Sequence, residues 1–463
     1  MLTGQGLAYS TQDECHLLNT PNAKSSVIED DVAHFQRWLW HSGRAATAAE
    51  FSARRDYSRY LQRTLYDAAA QALGWGSGLS ARLGRRATGI DRRHGDFRVR
   101  LDDGEVIDCT DVVIATGYAP PADPLAGMLP FDSQRYVRNP WQHGSVPKIA
   151  PTDGVLLIGT GLTMVDIALS LHRRGHRGRL HAISRRGLLP RGHSVNAASL
   201  PFDLRERLYS ALACDSLSQL LRAVREGARE AAAAGLGWQV VIDALRPLSQ
   251  GIWRDLSEAD RRRFLRHLRP YFDAHRHRVP PEQAGILASM VAEGRLQIRA
   301  GRIAGAADCG DMIVVNQQLR GTSTIRNEPY RSVINCTGAT LATVGGQTLE
   351  GRLIAKGLLV PDDNGLGYQY NGAGAVRGAQ GDVPGLYLIG PACRAGCFEH
   401  TAIPELRRQA AELARVIARR RRTVLASSWM PTTASARPIQ PLPWQRIAKR
   451  PTLFVNNHGD LQR

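Results

Sequence analysis

The stretch Val155-Leu156-Leu157-Ile158-Gly159-Thr160-Gly161-Leu162-Thr163-Met164-Val165-Asp166 decides the reading of this chain. Four consecutive aliphatic residues predict a strand buried on both faces, as in a parallel sheet. Gly159 permits a tight turn. Gly161 has no side chain, so a diphosphate can approach the backbone. A helix opening at Leu162 and Thr163 aims its first N–H groups and its positive dipole end at that diphosphate. The helix continues through Ile167, Ala168 and Leu171 to Gly175, and Leu180 to Ser184 makes the second strand. Met164 stands where a third glycine would complete GxGxxG. The strand–turn–helix–strand context supplies what the motif requires. The plain alternative is a glycine turn that holds no ligand.

The end of the second strand selects the dinucleotide. NAD sites place Asp or Glu there for the ribose 2′-hydroxyl. This chain has Ser184-Arg185-Arg186. Arginine offers a planar donor fork to a 2′-phosphate. One charge-assisted bond contributes roughly 1.5–3 kcal/mol, about a tenfold to hundredfold preference for NADPH. Two solvated arginines in an arginine-rich chain are the alternative.

Outward from this unit, a strand running into Thr-Gly occurs twice, at Val112–Gly117 and Val333–Gly338. Leu386-Tyr387-Leu388-Ile389-Gly390 is a further buried strand, followed by a helix from about Ile403 to Arg420. Earlier, helical spacing covers Asp31 to His41 and about Ser58 to Leu73. Phe97–Leu101 and Val106–Ile107 alternate around Asp103-Gly104, a hairpin signal. Residues 200–293 are rich in alanine, arginine and leucine and read as mostly helical, and Leu296–Ile303 with Met312–Val315 suggests a strand pair. The fold class is α/β, with two Rossmann-like dinucleotide-binding domains. The first domain is split, at 1–150 and 336–422. The second is inserted at 151–335 and carries the helical insertion at 200–293. Residues 423–463 are proline-rich and expected to be loosely ordered.

Val113-Ile114-Ala115-Thr116-Gly117-Tyr118 is similar to the ATG strand of two-domain flavoproteins. Glycine 390 and the helix beginning after Thr401-Ala402 have the order of the last FAD-binding element. A helix N-terminus there stabilises negative charge on a reduced flavin, and Thr401 can cap it. Gly4-Gln5-Gly6-Leu7-Ala8-Tyr9-Ser10, His16-Leu17-Leu18-Asn19-Thr20-Pro21, Arg54-Arg55-Asp56-Tyr57, Asn139-Pro140-Trp141, residues 159–166, 184–190, His275-Arg276-His277-Arg278 and Ile403-Pro404-Glu405-Leu406-Arg407 together resemble one family. It is the FAD/NAD(P)-binding family that includes a bacterial FAD-dependent urate hydroxylase and an aspartate N-monooxygenase. The resemblance runs over residues 4–420.

The resemblance implies FAD and NADPH as cofactors and O2 as co-substrate. It implies a monooxygenase, urate-hydroxylase-like, acting on a small anionic substrate through a flavin C4a-hydroperoxide. An amino-acid N-hydroxylase of the same family is one alternative. A truncated, FAD-deficient, non-enzymatic remnant is another, and a peroxide-leaking NADPH–flavin reductase or oxidase a third. Thr116, Gly117, Gly390, Thr401 and Ala402 are the implied flavin positions, with Gly159, Thr160, Gly161, Leu162, Thr163, Arg185 and Arg186 for NADPH. Arg54 and Asn19 are the catalytic candidates, Arg54 or Arg55 as a fork for an anionic substrate, with packing of a helix N-terminus as the equally weighted alternative. Two departures are expected to matter. The strand and glycine loop that open the family's FAD domain have no counterpart before Gly4, and Thr20–Ser26 is more polar than the family's segment.

Other chemistries fit less well. The formal charge is +18, and all but four of the 60 basic residues are arginine. They are spread along the chain rather than gathered into a nucleic-acid module. Seven cysteines form no CxxC and no disulfide framework, and reduced thiols are expected. Cys393 and Cys397 could form a redox pair at the flavin or act as small apolar residues. His275 and His277 do not share a helix face, and no carboxylate is expected at ligand spacing, so no metal is assigned. They read as a basic loop facing an anion, or as solvated surface. No apolar run approaches the ~18 residues that span a bilayer and no secretory signal opens the chain, so a cytoplasmic protein is expected.

Overall fold

The computed structural model describes residues 6–142, 149–194, 198–214, 216–341, 348–372, 374–399, 401–428 and 452–454. Gly4, Gln5, His400 and most of the proline-rich tail lie outside them.

Val155–Ile158 is central to a seven-stranded sheet. It pairs in parallel with Leu180–Ser184 on one side and Ser332–Asn335 on the other. Leu296–Asp308 extends the parallel part, and Ile313–Leu319 and Ile325–Tyr330 add an antiparallel edge. The four aliphatics alternate between two cores, as the pleat demands. Val155 and Leu157 pack under the helix Leu162–Arg173, whereas Leu156 and Ile158 join Leu125, Leu129 and Val333. All four are at most 5% exposed. This double burial explains the unbroken apolar run.

A second sheet pairs Val112–Ile114 in parallel with Gly381–Leu388, and Ala375–Gly378 is antiparallel to the latter. Strands from both sides of the seven-stranded sheet's sequence thus share one layer. Beside it lies the antiparallel meander Ala87–Arg93, Asp96–Leu101 and Val106–Cys109. The crossover comes earlier than residue 150. Tyr136–Val137 already pairs with Val333–Ile334, and Ala119 N donates to Thr340 O at 2.8 Å where the two crossing segments meet. A two-residue strand carries no periodicity, so the sequence hides it.

Phe202–Ala292 is helical, with one π-type turn at Phe264–Leu268. Its core includes Leu204, Leu208, Val241 and Trp253, and also Phe398 from the split domain. Trp253 stacks on Phe398 with ring centroids 4.8 Å apart and donates Nε1–H to Ala395 O at 3.0 Å. The insertion is therefore docked on the segment after Gly390.

Two helices differ from the hydrophobic pattern at their starts. The first begins at His34 rather than Asp31, and the second at Arg54 rather than Ser58. Arg54 and Asp56 are buried ion-paired residues, so a polar first turn masks the helix. The last long helix runs from Ile403 to Ser428, and Thr452–Phe454 pairs in parallel with Ser80–Arg82. The rest of the expected loose tail lies outside the described residues. Among the described residues no helix is long and apolar enough to cross a membrane.

Candidate functional site

Gly159 has φ +115°, and a Cβ there would lie 2.3 Å from Cys336 O. Only glycine fits that turn. At Gly161 a Cβ would meet nothing within 4 Å, so open space lies before the helix Leu162–Arg173. That helix begins with no side-chain cap, which leaves its first N–H groups for a ligand. Thr160 is placed differently from a phosphate ligand: its hydroxyl donates to Leu188 O at 2.6 Å and accepts from Ser184 Oγ at 2.8 Å. It fastens the loop to the turn after the second strand. Leu162 and Thr163 supply backbone at the helix start, and Met164 is fully buried in the core, which accounts for the missing third glycine.

Arg185 is exposed beyond Ser184. Arg186 lies 5.2 Å over the Tyr271 ring and donates weakly to Tyr271 Oη and Arg266 O. The two arginines are thus unequal. Arg185 is free to meet a 2′-phosphate, whereas Arg186 ties the loop to the helix Arg269–Arg276. The open diphosphate position, the uncapped helix and Arg185 together fit NADPH.

Arg54 is engaged elsewhere than a substrate fork. Its Nη1 and Nη2 donate to the two Asp166 carboxylate oxygens at 2.7 and 3.2 Å, and its Nε donates to Leu17 O at 2.9 Å. Arg55 pairs with Glu14. Asn19 is half-buried, and its carbonyl oxygen lies 3.0 Å from His193 Nε2. Burial and the nearby Arg278 guanidinium push that histidine down to about 4.

On the flavin side, Gly117 has φ +72° and no atom within 4 Å of a built Cβ. Tyr118 follows it. Gly390 has φ +79°, and its N–H donates to Gln409 Oε1 at 2.9 Å, so that donor holds the fold rather than a ring. The last helix starts at Ile403, and Leu406 N donates to Ala402 O at 3.0 Å. Ala402 therefore occupies the cap position and Thr401 precedes it. The Gly117 turn and this helix start fit the ring end of a flavin. Among the described residues, the loop at 159–161 is the one strand–glycine–helix cradle of diphosphate form.

On the helix Arg269–Arg276 lies a charged group that sequence reasoning missed, with Tyr118 and Arg394 in its electrostatic surroundings. Asp273 Oδ1 lies 3.9 Å from His277 Nε2, and Asp273 Oδ2 lies 3.4 Å from Arg269 Nε. Asp273 and His277 keep 39% and 36% of their side-chain surface. Burial nevertheless raises the Asp273 carboxyl, and burial with the surrounding arginines pushes His277 down to about 3. A carboxylate does stand at i, i+4 from His277, contrary to the expectation; His275 turns away to the Trp238 ring at 4.8 Å. The segment is the end of a helix rather than a basic loop. Arg276 pairs with Glu399 at 2.7 Å and Arg278 with Asp243. The signal available in the sequence was the Asp273–His277 spacing.

Cys393 and Cys397 are buried free thiols. Burial pushes Cys393 up to about 12, and Tyr370 Oη donates to Cys397 Sγ at 3.0 Å. Neither is poised as a thiolate nucleophile. Asp13, Cys15 and His16 form a metal-like group with ligand atoms within 4.8 Å of one another. Ser170 satisfies it, donating to Asp13 Oδ2 at 2.7 Å and lying 2.8 Å from His16 Nε2.

Residues 2–119 match a family model described as FAD-NAD(P)-binding. No curated protein sequence matches the chain. Among solved structures, the chain is similar to an ornithine N-hydroxylase from Kutzneria sp. 744, at TM-score 0.56 and 15% identity over 91% of both chains. It is similar to the L-lysine 6-monooxygenase of Pseudomonas syringae at TM-score 0.55 and 15% identity over 87% of both chains. A cadaverine monooxygenase from Erwinia amylovora, bound to FAD, aligns at TM-score 0.51 and 11% identity, over 90% of this chain and 86% of that one. The chain has the two-dinucleotide-domain flavoprotein fold.

Proposed function

We propose that this chain is an FAD- and NADPH-dependent monooxygenase that hydroxylates the nitrogen of a small amine. The reading rests above all on the likeness of fold, which extends over nine-tenths of the chain to enzymes described as acting on ornithine, lysine or cadaverine. That likeness favours an amine nitrogen over the ring carbon of a urate-like substrate. The charged group on the helix Arg269–Arg276, with Tyr118 and Arg394 in its surroundings, is compatible with the same reading.

In it, Gly159 and Gly161 shape the diphosphate cradle, and the helix starting at Leu162 neutralises it. Arg185 meets the 2′-phosphate. FAD, when bound, would supply the redox and oxygen-activating chemistry. The Trp253–Phe398 stack fastens the helical insertion to the segment after Gly390. The helix start at Ala402–Ile403 places positive dipole at the ring end. His277, uncharged near neutral pH, can accept a hydrogen bond but carries no positive charge to repel an amine.

The test is NADPH oxidation by the purified chain with FAD, with and without a panel of amines, together with colorimetric detection of hydroxylamine product. Amine-dependent hydroxylamine formation is expected. Oxidation of NADPH that yields only peroxide with every amine would reject the reading.

A further inference from the structure

The seam between the antiparallel meander of the split domain and the short helix Leu349–Ala355 holds a cavity of about 250 Å³. Thr88, Gly89 and Arg100 line it from the meander, and Arg352, Ala355 and Lys356 from the helix and the residue that caps its end. The strands Ala87–Arg93 and Asp96–Leu101 slip in register between Ala87 and Gly89, so Thr88 is an extra residue and Gly89 stands opposite Arg100. Glycine at such a bulge lets another group come close to the backbone. A Cβ on Gly89 would lie 3.2 Å from Arg100 Nη2 and 3.5 Å from its Nε, so the guanidinium rests against the bare strand. Arg352 Nη1 donates to Thr88 O at 2.7 Å, and Lys356 Nζ donates to Ile90 O at 3.2 Å. Those carbonyls fix where the two side chains point and bring no formal charge. Asp91 pairs with Lys356 and, at 3.0 Å, with Arg100. One carboxylate thus answers two of the three cations. Arg100 keeps 50% of its side-chain surface and Lys356 keeps 35%, so a solute can reach both.

We propose that this cavity binds a phosphate group, as the free ion or carried by a small molecule. Docking of the helix on the meander accounts for the bonds to Thr88 O and Ile90 O. The third cation, brought to the same opening by the bulge, points to a ligand. Arginine and lysine meet phosphate oxygens through charge-assisted hydrogen bonds, arginine with two parallel donors. The cavity is smaller than the ~300–1,000 Å³ of clefts that take a drug-sized ligand, so it fits one oxyanion group and not a second dinucleotide. An anion held by Arg100 on the meander and by Arg352 and Lys356 at the helix clamps the two elements together, and its binding stabilises the fold by mass action. The site lies on the split domain, whereas the diphosphate loop at Gly159–Gly161 lies on the inserted one. The proposal is independent of the amine reading, and its failure would leave that reading untouched.

The test is calorimetric titration of the full chain with inorganic phosphate and with ribose 5-phosphate. FAD and NADP+ are present throughout to fill the dinucleotide sites, and ionic strength is held constant with sodium chloride. Phosphate should bind saturably, one per chain, and the melting temperature should rise with it. Arg100→Gln should weaken that binding about tenfold to hundredfold, the worth of a charge-assisted hydrogen bond, while leaving NADP+ affinity and the circular dichroism spectrum unchanged. Gly89→Ala keeps every charge but crowds the Arg100 guanidinium, so it should weaken phosphate as well. Arg185→Ala should leave phosphate binding as it was. Tighter binding of the sugar phosphate would identify a carried phosphate group as the ligand, and equal or weaker binding the free ion; either result supports the site. Absence of saturable binding would overturn the proposal. So would binding that survives Arg100→Gln intact, or binding that Arg185→Ala removes.

Discussion

Arg54 and Asp166 meet in a bidentate ion pair that joins the split domain to the NADPH-loop helix. Asp166 is 2% exposed and Arg54 is 9% exposed, and the pair links residues 112 positions apart. His16 reinforces it, with Nε2 3.1 Å from Asp166 O, and the Arg54 guanidinium lies 5.9 Å over the Trp141 ring. The seam fixes where the glycine loop sits relative to the flavin side.

Removing one partner should therefore destabilise the fold. Arg54→Met leaves a buried carboxylate unpaired, and Asp166→Leu leaves a buried guanidinium unpaired; each is expected to lower unfolding free energy by about 3–5 kcal/mol. The double variant should recover much of that, because no isolated charge remains. Urea unfolding of the four proteins checks this. Strictly additive losses would show that the two residues do not act as a pair.

Gly159 and Gly161 should fail differently. Gly159→Ala forces a Cβ against Cys336 O at a positive φ, so loss of soluble folded protein is expected. Gly161→Val adds atoms into open space, so the chain should fold with its normal melting temperature and lose NADPH binding. Fluorescence titration with NADPH, read beside thermal melts, separates the two. An unchanged NADPH affinity in Gly161→Val would falsify the placement of the diphosphate.

The two arginines after Ser184 should also be unequal. Arg185→Ala is expected to erase about tenfold to hundredfold of the preference for NADPH over NADH. Arg186→Ala should cost less, since that side chain lies on Tyr271. Binding constants for both nucleotides decide it; equal preference in the unaltered protein would remove the role assigned to Arg185.

Stability should fall on mild acidification. His193 and His277 are held down to about 4 and about 3 in the fold, below the ~6.5 of a free histidine. Between those values the unfolded chain binds more protons, so stability rises with pH through the window and is lost as pH drops from about 6.5. Asp13, lowered to about 2, contributes in the same direction: its stabilisation is complete above about pH 4 and is lost as pH falls from there toward about 2. Melting temperatures at pH 7 and pH 5 should differ, and His193→Gln with His277→Gln should flatten that difference. An unflattened slope would mean that other groups carry it.

The sequence by itself determined the nucleotide unit. Val155–Ile158, the two glycines and Leu180–Ser184 interact over a short span, so apolar runs, glycine spacing and helix signals are all local. The hairpin around Asp103-Gly104 and the helical insertion were legible for the same reason. Tertiary structure alone decided the rest. The Tyr136–Val137 strand exists only because Val333–Ile334 lies beside it. Arg54 looked like a free anion fork, yet its partner is 112 positions away. Thr160 and Gly390 looked like ligand groups until their donors were found committed to Leu188 and Gln409. Charge pairing across the fold depends on long-range folding, and no local pattern encodes it.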